Sequence, residues 1–177
     1  LDLTLWMMNN YKPKYVVGHT YHKLAQTENA ANAFGPWNPA EFTVEDSAFG
    51  FIVMENGATI YLESSWALNS LDVGEAQTTL HGTQGGADMK DGLRINGEAD
   101  GMMYDKTMVL EPGGVDFYDG SGDDPAYLEA KQWIESIQND TEPVVSPEQA
   151  LVVTQILEAI YQSAKTGAPV YINQHKE

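Results

Sequence analysis

Hydrophobic and polar positions predict a helix at the start of the chain, a series of strands in the middle and two helices at the end. Leu1, Leu5 and Met8 recur at spacings of four and three, which is the spacing of one helix face. Residues 15–21 are rich in β-branched and aromatic side chains and predict a strand. No Ser, Thr, Asp or Asn precedes Leu1 as a cap, so we expect the chain to be part of a longer protein.

A long β-hairpin gives the clearest local pattern. Residues 46–54 and 58–66 are largely apolar or aromatic, and Asn56-Gly57 between them favours a type I′ turn, with positive φ at both residues. Side chains of the second arm alternate between two faces. One face carries Ile60, Leu62, Ser64 and Trp66, and the other carries Thr59, Tyr61, Glu63 and Ser65. The second face is amphipathic and not simply charged, which suits a surface covered by a partner subunit.

Short strands and two helices complete the predicted domain. Strands at 77–80, 87–89, 93–96 and 102–110 follow without intervening helices, which favours antiparallel pairing. A loop at 112–124 is rich in Gly and Asp. One helix follows Asp124 as cap, and another begins after Ser146 and ends at Gly167. Each has one apolar stripe, so we expect an α+β fold: an open, mostly antiparallel sheet with helices packed on one face. The predicted stripes are Tyr127, Ala130, Trp133, Ile134 and Ile137, and Val153, Ile156, Leu157, Ile160, Tyr161 and Ala164.

Composition and charge narrow the class of partner. The 177 residues predict one domain, which we place at 1–173 with a tail at 174–177. Nine basic residues stand against 26 acidic ones, for a net charge of −17, so we expect neither nucleic acid nor an anionic membrane as a partner. There is no cysteine, which excludes disulfides, thiolate metal sites and a cysteine nucleophile, and agrees with a cytoplasmic location.

Local motifs do not identify a reaction. His19 and His22 are three apart on a predicted strand and point to opposite faces, so we expect no metal site there. The acidic loop that ends at Asp124 lacks the ligand spacing of an EF-hand and is interpreted as a solvated loop with a helix cap. Residues 82–86 resemble a phosphate loop only superficially, because a strand and not a helix is predicted to follow them. We interpret them as a turn between strands.

The order of the elements and several short motifs resemble one enzyme family. The family is that of glucose–fructose oxidoreductase, inositol dehydrogenase and the rhizopine-catabolism proteins, which are NAD(P)-dependent oxidoreductases, and the resemblance is to their C-terminal domain. It extends from residue 1 to about residue 173. The motifs that carry it are LDLTLW at 1–6, VED at 44–46, NG at 56–57, ESSW at 63–66, HGTQGG at 81–86, SPEQA at 146–150 and YQSAKTG at 161–167.

The resemblance implies a division of labour between two domains. An N-terminal Rossmann domain, missing here, would carry the Gly-rich loop for NAD or NADP and the lysine of a Glu-Lys-Pro motif. The C-terminal domain would form homo-oligomers through its open sheet face and help to enclose a sugar, a polyol or a related substrate. Hydride would pass between the substrate and the nicotinamide. We therefore expect no dinucleotide to bind this fragment, and we expect the fragment alone to be inactive.

The resemblance implies that few catalytic residues remain in this chain. The family's catalytic His lies three residues before an Asp that matches Asp2, so the His would precede Leu1. Asp2 then either supports that His or has a purely structural role. By position, the candidates for substrate binding are Trp66, Asn69, His22, Lys23 and Trp37. Trp66 either stacks on a sugar ring or packs in the core, and Trp37 either fixes its loop to the core or forms a lid over ligand.

Three hypotheses about function follow. The first is the substrate-side and assembly domain of a NAD(P)-dependent sugar or polyol oxidoreductase. The second is a non-catalytic interaction or scaffolding module with the same fold. The third is a stand-alone carbohydrate-binding protein, which would require affinity for sugar in the fragment itself.

Overall fold

The computed structural model describes residues 1–24, 27, 38–66, 68–71, 74, 76–108 and 125–172. The chain is divided into two compact units, of which the first consists of Leu1–Leu71 and Pro147–Glu177 and the second of Asp72–Ser146. In chain order, the described elements are α1 (Asp2–Met8), β1 (Pro13–Tyr21), β2 (Ser47–Met54), β3 (Thr59–Ser65), β4 (Thr79–His81), β5 (Gly85–Asp88), β6 (Leu93–Ala99), β7 (Met102–Met108), α2 (Pro125–Asn139), α3 (Pro147–Thr166) and β8 (Val170–Tyr171).

The first unit is an antiparallel sheet with the order β3-β2-β1-β8. Its strands alternate between buried and exposed positions, as in Val16 (buried) and Val17 (exposed) of β1. The helix α3 packs mainly on β1 and also contacts β2 and β8. Strand β8 pairs with β1 through Tyr15 and Tyr171, and it is an element that the sequence pattern did not predict.

The core of the first unit lies between the sheet and its helices. Gly18 and Gly50 are partners across β1 and β2, and Ile160 of α3 lies against both. The buried hydroxyl of Ser163 accepts a hydrogen bond of 3.0 Å from the backbone N–H of Gly18, which fixes α3 against the middle of β1. The buried apolar residues are Leu5, Val16, Ile52, Met54, Ile60, Ile156, Ala159 and Ile160.

The hairpin is confirmed, but the predicted type I′ turn is wrong. Of the two turn residues only Gly57 has a positive φ, at 87°, whereas Asn56 does not. The N–H of Gly57 donates to the carbonyl of Met54 (3.0 Å), and the N–H of Met54 donates to the carbonyl of Ala58 (2.8 Å). This is a three-residue loop in which a left-handed glycine follows a tight turn. Asn56 instead uses its side-chain oxygen to accept the N–H of Ala58 (3.1 Å).

The second unit contains a separate antiparallel meander with the order β4-β5-β6-β7. The α+β class and the antiparallel pairing are confirmed, but the strands form two four-stranded sheets and not one open sheet. The residues at 82–86 do join two strands, since the N–H of Gly82 donates to the carbonyl of Gly85 (2.9 Å) at the turn from β4 to β5. The glycines at this turn therefore serve a strand connection.

The two C-terminal helices differ in how they use their apolar stripes. α3 packs on a sheet as predicted and ends before Gly167, which has a φ of 68°. In α2, however, Trp133 (55%), Ile134 (51%) and Ile137 (66%) are exposed, so the described residues of α2 do not bury the predicted apolar stripe. The predicted loops at 25–39 and 112–124, with Trp37 and the Asp124 cap, lie wholly or mainly outside the described residues.

Candidate functional site

One end of the first-unit sheet gathers polar and aromatic side chains. Tyr21 at the end of β1, Ser47 at the start of β2 and Ser65 at the end of β3 lie in one cross-strand row. The chain enters β2 through residues 44–46, and it leaves β1 and β3 at this same end. Because three chain segments converge here, residues that are distant in sequence become neighbours.

Asp46 is the buried centre of this region, with 1% of its surface exposed. Its carboxylate accepts the backbone N–H of Leu24 (2.7 Å) and the hydroxyl of Ser47 (3.0 Å). The backbone N–H of Asp46 donates to the carbonyl of Tyr21 (2.8 Å), and its carbonyl accepts the hydroxyl of Ser65 (3.0 Å). One residue thus connects the ends of all three strands.

Trp66 is partly buried and held by its indole nitrogen. Its Nε1–H donates to the carbonyl of Glu45 (2.9 Å), and its ring packs against Phe42 with the centroids 4.8 Å apart. The two rings are tilted by 34°, which is within the range of favourable aromatic pairs. The indole is therefore fixed in orientation at the end of β3 while part of its surface remains accessible.

Glu45 links this end of the sheet to α3. Its carboxylate accepts the hydroxyl of Tyr161 at 2.5 Å, a short bond of the kind made to a charged acceptor. The hydrogen bond to Glu45, followed by partial burial, raises the pKa of Tyr161 above its ordinary value of 10.0. The phenol is therefore a hydrogen-bond donor at neutral pH, held in place by an adjacent carboxylate.

The structure brings together three of the five predicted substrate-binding residues. His22 and Lys23 are exposed and directly follow β1, and Nδ1 of His22 lies 3.2 Å from the carbonyl oxygen of Val44. Trp66 directly follows β3 at the same end of the sheet. Asn69 is exposed three residues farther along, and Trp37 lies outside the described residues.

Asp2 lies in the first turn of α1 and is exposed. Its charge contributes to raising the pKa of Tyr11, although burial of the phenol is the larger cause. Tyr11 precedes β1, whereas His22 follows it, so Tyr11 and His22 lie at opposite ends of this strand. The helix around Asp2 begins where the pattern predicted, with Leu5 buried in the core.

Four residues at this end of the sheet were not among the sequence candidates: Phe42, Glu45, Asp46 and Tyr161. An acidic residue directly before an apolar strand, such as Asp46, is a detectable signal, since burial of a carboxylate requires hydrogen-bond partners. The partnership of Glu45 with Tyr161 spans 116 residues and leaves no local signal.

The second unit has its own polar surface. Strands β4 to β7 line a depression of about 1060 Å³ in which Arg94 and Asp88 form a two-bond ion pair, with distances of 2.5 and 2.8 Å. The hydrogen bond from Arg94 lowers the pKa of Asp88. The charges of this pair offset each other at an exposed position, where such a pair contributes little to stability.

The described residues contain neither a dinucleotide loop of the Rossmann type nor a cluster of metal ligands. A dinucleotide loop requires a glycine-rich turn that leads from a strand into a helix, whereas residues 82–86 lead from β4 into β5. Within the described part of the chain, no group of three or more His, Asp or Glu side chains is arranged to hold a metal ion. No described helix is both long and apolar enough to cross a membrane.

Antiparallel sheets, a long helix packed on one of them and a polar cluster at the sheet end define an α+β domain. Comparison with protein families agrees with this class. The model described as "Oxidoreductase family, C-terminal alpha/beta domain" matches residues 1–172. The chain belongs to this oxidoreductase family and corresponds to the C-terminal domain of its members.

Three named proteins are similar to this chain over nearly its whole length, one in sequence and two in fold. D-glucoside 3-dehydrogenase of Escherichia coli (strain K12) is 29% identical over 174 residues, which cover 96% of this chain and 45% of that protein. The fold is similar to aldose-aldose oxidoreductase of Caulobacter crescentus, complexed with glycerol (TM-score 0.65, 17% identity, 97% of this chain and 44% of that one). It is also similar to an oxidoreductase of Agrobacterium radiobacter in complex with NAD+, L-tartaric acid and magnesium (TM-score 0.64, 18% identity, 96% and 46%). The chain thus spans less than half the length of these relatives.

Proposed function

We propose that this chain is the substrate-side and assembly domain of a NAD(P)-dependent oxidoreductase that acts on a sugar, a polyol or a related compound. The observation that carries the proposal is the family match over residues 1–172, joined to a preorganised polar and aromatic cluster at one end of the first-unit sheet. The name of the 29% identical relative, a D-glucoside dehydrogenase, supports a glycoside or sugar as substrate.

The substrate contacts of this domain are assigned to His22, Lys23 and Trp66, with Asn69 and Trp37 as further candidates. Trp66 supports a sugar-binding role because its indole nitrogen is already bonded to Glu45, so its partly accessible ring is held ready for stacking. His22 and Lys23 are exposed donors beside it, at the end of β1. Asp2 is assigned a supporting role for a catalytic His that precedes Leu1.

The activity is tested on the full-length protein encoded by the gene. Reduction of NAD+ or NADP+ by methyl D-glucoside, glucose and inositol should be measured by nicotinamide absorbance. We expect turnover with at least one of them, and a rise of about tenfold in KM for Trp66→Ala, because loss of a stacking contact of about 1.5 kcal/mol weakens binding by roughly that factor. Ser163→Ala, altered at the interface of α3 with β1, is the matched control and should keep the native KM. No turnover with any sugar or polyol would contradict the proposal.

The dinucleotide, NAD or NADP, is assigned to a Rossmann domain preceding this chain. The name of one structural neighbour includes NAD+, and that neighbour is more than twice as long as this chain. Calorimetric titration of the isolated chain with each dinucleotide should give no micromolar binding. Micromolar affinity in the chain alone would contradict this assignment.

A non-catalytic scaffolding module is the competing proposal. The two are distinguished by the gene upstream of the codon for Leu1. A Gly-rich strand–helix unit, a Glu-Lys-Pro lysine and a His three residues before Asp2 are expected for the enzyme. Their absence would favour the scaffold. We place the protein in the cytoplasm, which agrees with the absence of cysteine.

Assembly is assigned to the open face of the first-unit sheet. Val17, Phe51 and Tyr61 form one cross-strand row on the face opposite Ile160, and they are 40%, 45% and 66% exposed. An exposed apolar row across three strands is typical of an interface. The occupant proposed here is a second copy of this chain, since isologous pairing is the commonest arrangement of soluble oligomers.

A further inference from the structure

The exposed residues after β1 depend on one buried side chain. His22 and Lys23 are exposed, yet the next residue, Leu24, is partly buried. Its backbone N–H donates a hydrogen bond of 2.7 Å to the carboxylate of Asp46. That bond holds the segment that leaves β1, together with the contact of His22 Nδ1 with the carbonyl of Val44. It spans 22 residues of sequence and brings the carboxylate of a residue before β2 to the chain after β1.

The same residue also fixes the end of β3. The carbonyl of Asp46 accepts the hydroxyl of Ser65 (3.0 Å) and the backbone N–H of Trp66 (3.4 Å). The Ser65 hydroxyl accepts the N–H of Leu68 in turn (3.0 Å), so the chain toward Asn69 is tied to the same point. Asp46 therefore bonds, directly or through one residue, to every described segment that carries a substrate-binding candidate in this region.

Burial makes this arrangement stiff. Asp46 is 1% exposed, so water does not compete for its carboxylate, and a buried acceptor that lost its partners would be strongly disfavoured. Both described side-chain bonds come from neutral donors, Leu24 N–H and Ser47 Oγ–H. A segment that is ordered before ligand arrives loses less conformational freedom on binding.

We propose that Asp46 is a positioning residue for the substrate surface. Its carboxylate holds the 22–24 segment beside the start of β2, where its backbone carbonyl already holds Ser65 and Trp66, so that His22, Lys23 and Trp66 present a single surface. The substrate part of this inference rests on the proposed function. The positioning part concerns only this chain. In this proposal Asp46 contacts no substrate itself. The role of its carboxylate, which the variants below change, is exerted through Leu24, whereas the bond to Ser65 is made by the backbone carbonyl and remains in every variant.

Hydrogen exchange tests the positioning part on the chain itself. In Asp46→Ala, the Leu24 amide should exchange about tenfold faster than in the native chain, while the Ile52 amide in β2 changes much less, because the loss is local. Asp46→Asn should restore the native rate at Leu24, since its side-chain oxygen accepts the Leu24 N–H and its amide donates to the Ser47 hydroxyl. Ser163→Ala is the control for a buried polar group lost elsewhere in the same unit, and it should not affect Leu24 selectively.

Equal acceleration at Leu24 and Ile52 in Asp46→Ala would overturn the positioning role, because it would show a general loss of stability. Unchanged exchange at Leu24 would overturn it as well. If Asp46→Ala does not fold, Asp46→Ser is used in its place, since its shorter side chain stops short of the Leu24 N–H but keeps a polar group at the buried site. In Asp46→Ser, equal acceleration at Leu24 and Ile52, or unchanged exchange at Leu24, would likewise overturn the positioning role.

Kinetics of the full-length protein test the substrate part. With methyl D-glucoside and saturating dinucleotide, Asp46→Ala should raise KM about tenfold and change kcat less than about twofold, with Asp46→Asn close to native. A fall in kcat with KM unchanged would overturn the role in substrate positioning. If the native protein turns over no sugar, the proposed function fails, and the exchange result at Leu24 still decides the positioning role.

Discussion

Gly18 and Gly50 lie directly opposite each other across β1 and β2, and Ile160 of α3 packs against both of them. A Cβ added at Gly18 would lie 2.7 Å from Cγ2 and 3.1 Å from Cα of Ile160, and 3.0 Å from the carbonyl oxygen of Phe49. A Cβ at Gly50 would meet side-chain atoms, at 2.7 Å from Cδ1 and 3.2 Å from Cγ1 of Ile160 and 3.6 Å from Cδ1 of Ile52. The absence of a Cβ at both glycines therefore makes room for Ile160 against the sheet.

Alanine at the two glycines should have unequal effects. Gly18→Ala presses on backbone atoms of α3 and β2, which cannot yield without moving an element, and should lower the free energy of unfolding by about 2–3 kcal/mol. Gly50→Ala presses on a side-chain terminus that changes rotamer, and should cost about 1 kcal/mol. Urea unfolding monitored by circular dichroism measures both. Equal losses would show that α3 does not lie against β1 as described.

Adjacent residues of α3 should differ in the same experiment. Ile156 is fully buried, whereas Leu157 is 42% exposed, although the sequence pattern placed both on the apolar face. Ile156→Ala should cost about 2–5 kcal/mol because it leaves a cavity in the core. Leu157→Ala should cost less than about 1 kcal/mol. A larger loss at Leu157 than at Ile156 would contradict the described rotation of the helix.

The phenol of Tyr161 should titrate above an ordinary tyrosine. Its bond to Glu45 raises its pKa, so Glu45→Gln, which removes the charge, should bring the pKa of Tyr161 down toward 10.0. NMR of labelled tyrosine, with Tyr161→Phe to assign the signal, measures the change. An unaltered Tyr161 pKa in Glu45→Gln would show that the carboxylate is not its partner.

The same shift predicts a dependence of stability on alkaline pH. Because the folded-state pKa lies above the unfolded value of 10.0, the folded state holds its proton longer. The stabilisation from this pair is therefore fully present below about pH 10 and is lost as pH rises through the folded-state pKa. Thermal unfolding of the native chain and of Tyr161→Phe, compared between pH 8 and pH 11, should show the difference between them shrinking at the higher pH.

Self-association should depend on the exposed row of the first-unit sheet. Phe51 lies in the middle of that row, between Val17 and Tyr61. Phe51→Glu places a charge in the proposed interface of a chain that already carries a net charge of −17, and should lower the association constant at least about tenfold. Leu151→Glu, at an exposed apolar position of α3, is the matched control and should associate as the native chain does. Sedimentation velocity over a concentration series measures both, and a native chain that stays monomeric at high concentration would contradict the assembly proposal.

Local patterns predicted most of the elements correctly. The hairpin arms, the meander strands and the start of α3 after Ser146 follow from alternation, turn residues and caps, which act within a few residues of each other. The division into two sheets did not follow, because alternation shows that a strand has two faces but not which strand lies beside it. The exposed stripe of α2 was missed for a related reason, since an amphipathic pattern does not identify the surface that covers it.

The candidate site shows the same limit at the level of single residues. The sequence by itself determined that Trp66 stands at the end of a strand, and it determined the family through motifs spread over the chain. It placed His22 on the first strand, which in the structure ends at Tyr21, so that His22 and Lys23 follow the strand end. Only the tertiary structure decided that these ends meet, and that buried Asp46 connects them. The reason is physical: the bonds of Asp46 to Leu24 and Ser65 span 22 and 19 residues, and no local propensity encodes contacts made by strand pairing.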